Sequence, residues 1–128
     1  MQLVTTEWAE AYRDVWNSDE KLRKKLKRFD SVFKYAISDR EDLAPMIFVV
    51  EKGQVTYAGA DNEDQKVEFD MWADSSNWQR VFSKDISVKR AMMSSGFNFK
   101  GPKLKAMSNM RSFERSIELM IEMPGMTI

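Results

Sequence analysis

"AMMSSGFNFKGPKLKAMSNM", residues 91–110, is the stretch of sequence that decides the fold. Gly96 ends a preceding amphipathic segment, residues 97–100 form a short apolar segment, and Gly101-Pro102 leads into the last part of the chain. Glycine is favoured just after a helix, and proline is favoured in the first turn of the next one. The stretch therefore predicts a helix, a short fifth strand and a final helix in close succession.

The final helix is predicted to present one long apolar face. An apolar residue recurs at steps of four, three, four and three residues, at Ala106, Met110, Phe113, Ile117 and Met120. Such steps place side chains on the same side of a helix. We therefore expect one amphipathic helix that begins near Pro102 and packs on a sheet.

Four strands are predicted upstream of this stretch. Apolar and polar side chains alternate with a period of two in residues 31–37 and again in residues 67–73. Between them, the apolar segments 45–50 and 55–60 flank the glycine-containing turn "EKGQ", which is the arrangement of a β-hairpin. A charged loop, residues 61–66, separates the hairpin from the fourth strand.

Helices flank the predicted strands. The first is expected over residues 4–16 with Thr5 or Thr6 as its N-cap, and the second over residues 17–29 with Ser18 as its N-cap. Two short helices follow the fourth strand, at residues 75–82 and 87–95. The predicted fold class is α+β, a five-stranded sheet covered on one face by helices, in a single domain over residues 1–128.

Composition excludes several classes of function. The 128 residues include no Cys and no His, which removes thiolate zinc sites and the Ser-His and Cys-His pairs of many hydrolases. The 20 basic and 20 acidic residues cancel, so nucleic acid is not an expected partner. The acidic residues of the 61–66 loop lack the ligand spacing of a calcium site. We therefore predict no catalytic residue, no cofactor and no metal.

Methionine is unusually frequent, with ten in the chain and seven between Met92 and Met126. An unbranched thioether side chain fills irregular gaps in a packed core. The same flexibility lets it move aside for a ligand of variable shape. Both interpretations, a solid core and the lining of a cavity, stay open at this point.

The order of elements, together with the segment "SSNWQRVFSKDISVKRAMMSSGFNFKGPKLKAMSNMRSF", resembles the sterol carrier protein type-two family. The family's pattern of spaced hydrophobic residues, glycines and a basic residue is matched at Trp78, Ala91, Met92, Gly96, Phe97, Phe99, Lys100, Gly101 and Leu104. The resemblance extends from about Trp8 to Met120. It implies an apolar tunnel, between the sheet and the helices, that holds sterols, fatty acyl chains or other lipids.

The resemblance places a ligand between the closing helices and the sheet. The predicted lining comes from the fourth strand, the two short helices and the last helix, and consists of Phe69, Met71, Trp78, Phe82, Met92, Met93, Met107, Met110, Phe113 and Ile117. A plain core role is the competing interpretation at each position. We expect a non-enzymatic carrier whose driving force is apolar burial, about 25 cal/mol per Å².

The alternative function is an accessory module of a lipid- or quinone-related enzyme complex, with a partner enzyme bound through an interface to which the four Trp residues contribute. A cytoplasmic, free-standing protein is expected, because no leader-like or bilayer-spanning run is present and the chain ends in "MPGMTI" rather than in a peroxisomal signal.

A basic segment, Lys21–Arg28, has six basic residues in eight. A solvated helix face is the simpler interpretation. The functional hypothesis is a transient contact with an anionic membrane surface, to which each basic residue contributes about 1 kcal/mol.

Overall fold

The computed structural model describes residues 1–128. Its elements, in chain order, are α1 (Thr6–Ser18), α2 (Glu20–Lys25), β1 (Ser31–Ile37), β2 (Met46–Glu51), β3 (Gln54–Ala60), β4 (Phe69–Ala73), α3 (Ser75–Phe82), α4 (Val88–Met92), β5 (Phe97–Lys100), α5 (Lys103–Ser108) and α6 (Met110–Glu122). No helix has both the length and the apolar character that crossing a membrane requires.

The five strands form one sheet in the order β3-β2-β1-β4-β5. Only the β1–β4 pair is parallel, and the other three pairs are antiparallel. Every second residue of β1 is buried, as its period of two predicts. The fifth strand, the element predicted from the opening stretch of sequence, occupies residues 97–100 as expected.

One face of the sheet carries the core. Phe33 of β1 lies opposite Phe48 of β2 and Phe69 of β4, and the rings of all three are buried. Trp8 and Tyr12 of α1 pack on this same face, where their rings lie 5.4 and 5.3 Å from the Phe48 ring. The helices therefore cover the face that the alternating aromatic residues form.

The other sheet face is crossed by the connection between β3 and β4. These strands lie on opposite sides of the β2–β1 pair and run in the same direction, so residues 61–68 must return along the length of the sheet. Asp61 forms an ion pair of 3.6 Å with Lys34, which points away from the helices because it alternates with Phe33. The charged loop predicted from sequence is thus a strap over the second face.

The last helix is two helices, which corrects the prediction of one. Ser108 Oγ donates to the Leu104 carbonyl at 2.8 Å, and Asn109 Nδ2 donates to the Lys105 carbonyl at 2.9 Å. Side chains that bond nearby backbone groups compete with helical hydrogen bonding. Asn109 leaves the helical region, with φ −118° and ψ 17°, and the chain changes direction there.

Two element starts also differ from the prediction. Ser18 is the last residue of α1, where its Oγ donates to the Asp14 carbonyl, and Asp19 caps α2 through a hydrogen bond from the Leu22 N–H. Aspartate is as good an N-cap as serine, so the sequence "SD" leaves the choice open. Asp74 caps α3, whose bounds match the predicted residues 75–82. The fourth strand begins at Phe69, two residues later than expected.

Candidate ligand-binding site

The ten predicted lining residues fall into three groups by exposure. Five are at most 2% exposed and lie in the core: Phe69, Met71, Trp78, Phe113 and Ile117. Three are half-buried at its margin: Phe82, Met92 and Met110. The last two, Met93 and Met107, are 79% and 70% exposed, so the structure does not bring them to the interior. They lie at the end of α4 and on α5, whose direction differs from that of α6.

Aromatic rings fill the layer between α6 and the sheet. The Phe113 ring centroid lies 5.2 Å from that of Phe69, 5.5 Å from Phe33 and 5.8 Å from Phe99. All five cavities of the molecule are open at the surface. The tunnel that the resemblance implies is therefore not present as an enclosed space in this structure.

A second buried group lies under α3. The Trp78 indole N–H donates to the Ala36 carbonyl at 3.0 Å, and its ring lies 4.8 Å from the Phe97 ring in an edge-on arrangement. The Phe82 ring, 6.4 Å from Trp78, reaches the surface. Trp78 thus fixes α3 on the sheet, and the half-buried Phe82 lies beside it.

A groove of about 410 Å³ opens where α6 meets the segment between α3 and α4. Its apolar walls are Val81, Ile86, Val88 and Ile121, and its rim is polar, with Lys84, Ser87, Glu118 and Glu122. Val81 and Val88 are buried members of the core. Ile121 lies one helical turn beyond the predicted lining residue Ile117. The groove therefore leads from the surface toward the predicted lining.

Polar atoms meet inside the core, where the sequence indicated only apolar packing. The Tyr12 hydroxyl donates to the Ser116 carbonyl at 2.6 Å, and the Tyr12 ring lies 6.2 Å from that of Tyr35. Burial raises the pKa of both phenols well above the ordinary value, so both stay neutral. The Trp8 indole N–H is buried with no hydrogen-bond partner. No sequence signal brings these polar atoms together.

A further groove, of about 760 Å³, lies on the second sheet face beside the 61–68 strap. Six of its ten lining residues are not hydrophobic, and Asp30, Glu51 and Glu68 are among them. None of the predicted lining residues is among the ten. An acidic rim of this kind does not match an apolar ligand, so the helix-side groove is the better candidate.

Lys105 links α5 to the residues that precede strands β1 and β4. Its Nζ donates to Glu68 Oε1 at 2.7 Å and to the Asp30 carbonyl at 2.7 Å, and it lies 4.8 Å above the centre of the Phe29 ring. Partial burial raises the pKa of Glu68, but the hydrogen bonds from Lys105 and Ser31 and the charge of Lys105 together leave it below its ordinary value. The ionised carboxylate therefore stabilises the fold.

Glu68→Gln is expected to lower the free energy of unfolding by about 1 kcal/mol at pH 7, because an ion pair one-third exposed is worth little more than that. The folded pKa is depressed, so this stabilisation is present above the ordinary value of 4.5 and disappears as the pH falls through the folded pKa. Urea unfolding at neutral and at strongly acidic pH measures the difference. Glu63→Gln, in the same strap, is the control. An equal deficit at both pH values would contradict the assignment.

One comparison with known proteins identifies a family. The sequence matches the profile of the SCP-2 sterol transfer family over residues 10–114. No curated protein matches the chain. A crystal structure of sterol carrier protein 2 has a TM-score of 0.78 at 20% identity, over 94% of this chain and 98% of that one.

Two further solved structures share the architecture. A conserved hypothetical protein from Thermus thermophilus, described as possibly a sterol carrier protein, has a TM-score of 0.77 at 20% identity, over 95% of this chain and 90% of that one. A UbiJ-SCP2 ubiquinone synthesis protein has a TM-score of 0.59 at 13% identity, over 92% and 96%. At these identities the likeness concerns the fold, and it confirms the predicted sheet with its helices. Because the family profile covers most of the sequence, the chain belongs to the SCP-2 sterol transfer family.

Proposed function

We propose that this protein binds a hydrophobic molecule of the lipid class and carries it without catalysing a reaction. The observation that carries the proposal is the groove between α6 and residues 81–88, whose apolar walls are continuous with the core. A concave, mainly apolar site with a polar rim is what a lipid-like ligand requires. Membership of a family named for sterol transfer supports the same proposal.

Ligand entry requires the interior to open. An unfilled void of about 300 Å³ would cost on the order of 7 kcal/mol, which is a large share of a usual stability of about 5 to 15 kcal/mol. A filled interior is therefore the stable arrangement, and the ligand must displace side chains. Phe82, Met92 and Met110 are suited to this, because they are half-buried at the margin and two of them are flexible thioethers.

An unpaired hydrogen-bond donor in the core also favours a ligand that carries one polar atom. Trp8 Nε1 is buried without a partner, and leaving such a donor unpaired is costly. A ligand hydroxyl or carbonyl oxygen that reached it would accept its hydrogen bond. A sterol, a fatty acyl chain or a similar molecule meets this description, and the chemistry does not select among them.

Ile121→Lys is expected to weaken uptake of a fluorescent fatty acid at least about tenfold, because a buried charge at the groove wall is strongly disfavoured. The measurement is titration of the protein against the probe, with fluorescence enhancement as the signal. Val15→Lys, at a half-buried position on α1 outside the groove, is the matched control. Equal affinities for both variants would place the site elsewhere, and no uptake by the parent protein would reject the carrier proposal.

The alternative, an accessory module in an enzyme complex, has weaker support. Trp8, Trp16 and Trp78 are at most 1% exposed, so three of the four tryptophans are buried and do not contribute to an interface. Copurification of one fixed protein partner, together with no uptake of lipid probes, would favour this alternative over carriage.

A further inference from the structure

The charges of this neutral chain are strongly segregated. Six of its 20 basic residues lie in residues 21–28 and six more in residues 86–113, and neither segment contains any of the 20 acidic residues. The remainder of the chain therefore holds all the acidic residues and only eight basic ones. Zero net charge therefore coexists with two basic segments that contain no acidic residue.

The fold brings the two basic segments together. Lys25 of α2, Lys89 of α4 and Arg111 at the start of α6 line one groove of about 710 Å³, in which Glu114 is the only acidic lining residue. Lys25 also lines a neighbouring groove with Arg28, Lys105 and one acidic residue, Asp30. Residues far apart in sequence thus form a surface on which basic residues outnumber acidic ones.

Exposed apolar side chains are concentrated on the same surface. Four large hydrophobic residues of the molecule are exposed, and three of them, Met93, Leu104 and Met107, lie in the acid-free segment 86–113. Leu104 and Met107 are three residues apart on α5 and so share one side of that helix. Met107 lines the groove with the three cations, and Met93 lies one turn beyond Lys89 on α4.

We propose that Met93, Leu104, Met107, Lys25, Lys89 and Arg111 form a docking face for an anionic lipid bilayer. The cations would lie against the negative headgroups, and the exposed Leu and Met side chains would enter the boundary with the acyl chains. The acidic remainder of the protein would face water. The inference goes beyond carriage of a ligand, and it extends the membrane hypothesis for Lys21–Arg28 to a surface that includes α4 and α5.

Lipid fits this surface better than nucleic acid does. Surfaces that bind single-stranded nucleic acid pair their cations with aromatic side chains that stack on bases. The exposed apolar residues here are aliphatic or thioether chains, which offer no ring for a base to stack on. Aliphatic chains beside cations match an interface with acyl chains beneath anionic headgroups.

The test is sedimentation with vesicles of phosphatidylcholine containing phosphatidylserine, compared with pure phosphatidylcholine, at low and high salt. The parent protein is expected to bind the anionic vesicles preferentially, and more weakly at high salt. The double variant Leu104→Ser, Met107→Ser is expected to lose about tenfold or more in partitioning, because two apolar side chains no longer enter the bilayer. Tyr57→Ser, at the fourth exposed hydrophobic residue, is the matched control.

A charge-reversal pair tests the cations separately. Lys89→Glu with Arg111→Glu is expected to abolish the preference for anionic vesicles, whereas Lys66→Glu, on the strap, leaves it unchanged. All these positions are exposed, and thermal unfolding checks that each variant folds. Equal binding to both vesicle types, no binding to either, unchanged binding by the Leu104 and Met107 variant, or tighter binding to duplex DNA than to anionic vesicles would each overturn the proposal.

Discussion

Phe113→Ala is expected to lower the free energy of unfolding by about 3 to 5 kcal/mol, the range for removing a buried phenylalanine. The Phe113 ring is 1% exposed and lies within 6 Å of four other phenylalanine rings, which belong to α6's neighbours β1, β4 and β5 and to the segment after α2. Equilibrium unfolding in urea measures the loss.

Phe113→Leu is the matched control, because it retains most of the volume and should cost less than about 1.5 kcal/mol.

The two Phe113 variants also test the proposed function. Phe113→Ala opens a cavity in the layer between α6 and the sheet, where the family resemblance places the ligand, so a fatty acid probe should raise the unfolding temperature of this variant more than that of the parent. A probe effect confined to the parent would mean that the ligand occupies another site. A loss below about 1 kcal/mol would mean that the interior is not filled by this ring.

The fold was predictable where the spacing of apolar residues allows only one face of an element to be buried. The alternation through Phe33, Tyr35 and Ile37 leaves a single choice of buried face, and the structure buries those three side chains. The same holds for the steps through Phe113, Ile117 and Met120, which are buried on α6 as expected. Patterns of this kind depend on local geometry and apolar burial alone.

The helix break at Asn109 was not predictable from that pattern. The apolar steps continue without interruption through Ala106 and Met110, although these residues lie on different helices; Ala106 is buried and Met110 is half-buried. The break depends on two side chains, Ser108 and Asn109, whose hydrogen bonds compete with the helix by a small margin. Hydrophobic spacing predicts which side of a segment is buried. It does not predict that the chain changes direction between two helices when the same side of the segment stays buried in both.

The candidate site was predictable only in part, for a related reason. Trp78 and Ile117 belong to strong periodic patterns and lie beside the groove walls, whereas Met93 and Met107 are exposed. Methionine is equally suited to a gap in a core and to an exposed apolar surface, so its presence alone did not separate the two. The acid-free segment 86–113 does not separate them either, because it contains the half-buried Met92 and Met110 as well as the exposed Met93 and Met107.

The half-buried and the exposed methionines are consistent with one cycle of membrane docking and ligand entry. The half-buried Met92 and Met110 lie where side chains must move for a ligand to enter, and the exposed Met93 and Met107 are their neighbours on the proposed docking face. Contact with a bilayer would then take place beside the segments that have to open. The vesicle and probe measurements described above are independent, so either part of this cycle can fail alone.

Gly53→Ala is expected to lower the free energy of unfolding by about 2 to 4 kcal/mol, from strain in the backbone and from a steric clash. Gly53 has φ +78°, and a Cβ there would lie 2.6 Å from the Leu26 carbonyl oxygen. The Gly53 carbonyl also accepts the Trp16 indole N–H at 3.0 Å. The added methyl group must therefore push the β2–β3 turn away from both α1 and the end of α2.

Gly125→Ala separates the two causes, because Gly125 has a similar φ of +69° but no atom within 4 Å of the position a Cβ would take. That variant should lose only the conformational cost of a left-handed alanine, about 1 kcal/mol. Urea unfolding measures the free energy that each variant loses. The difference between these two losses is the cost of separating the β2–β3 turn from the end of α2, in the basic segment Lys21–Arg28. Equal losses would mean that the hairpin turn can move freely, and that it does not hold the end of α2, and with it Lys25, in place on the docking face.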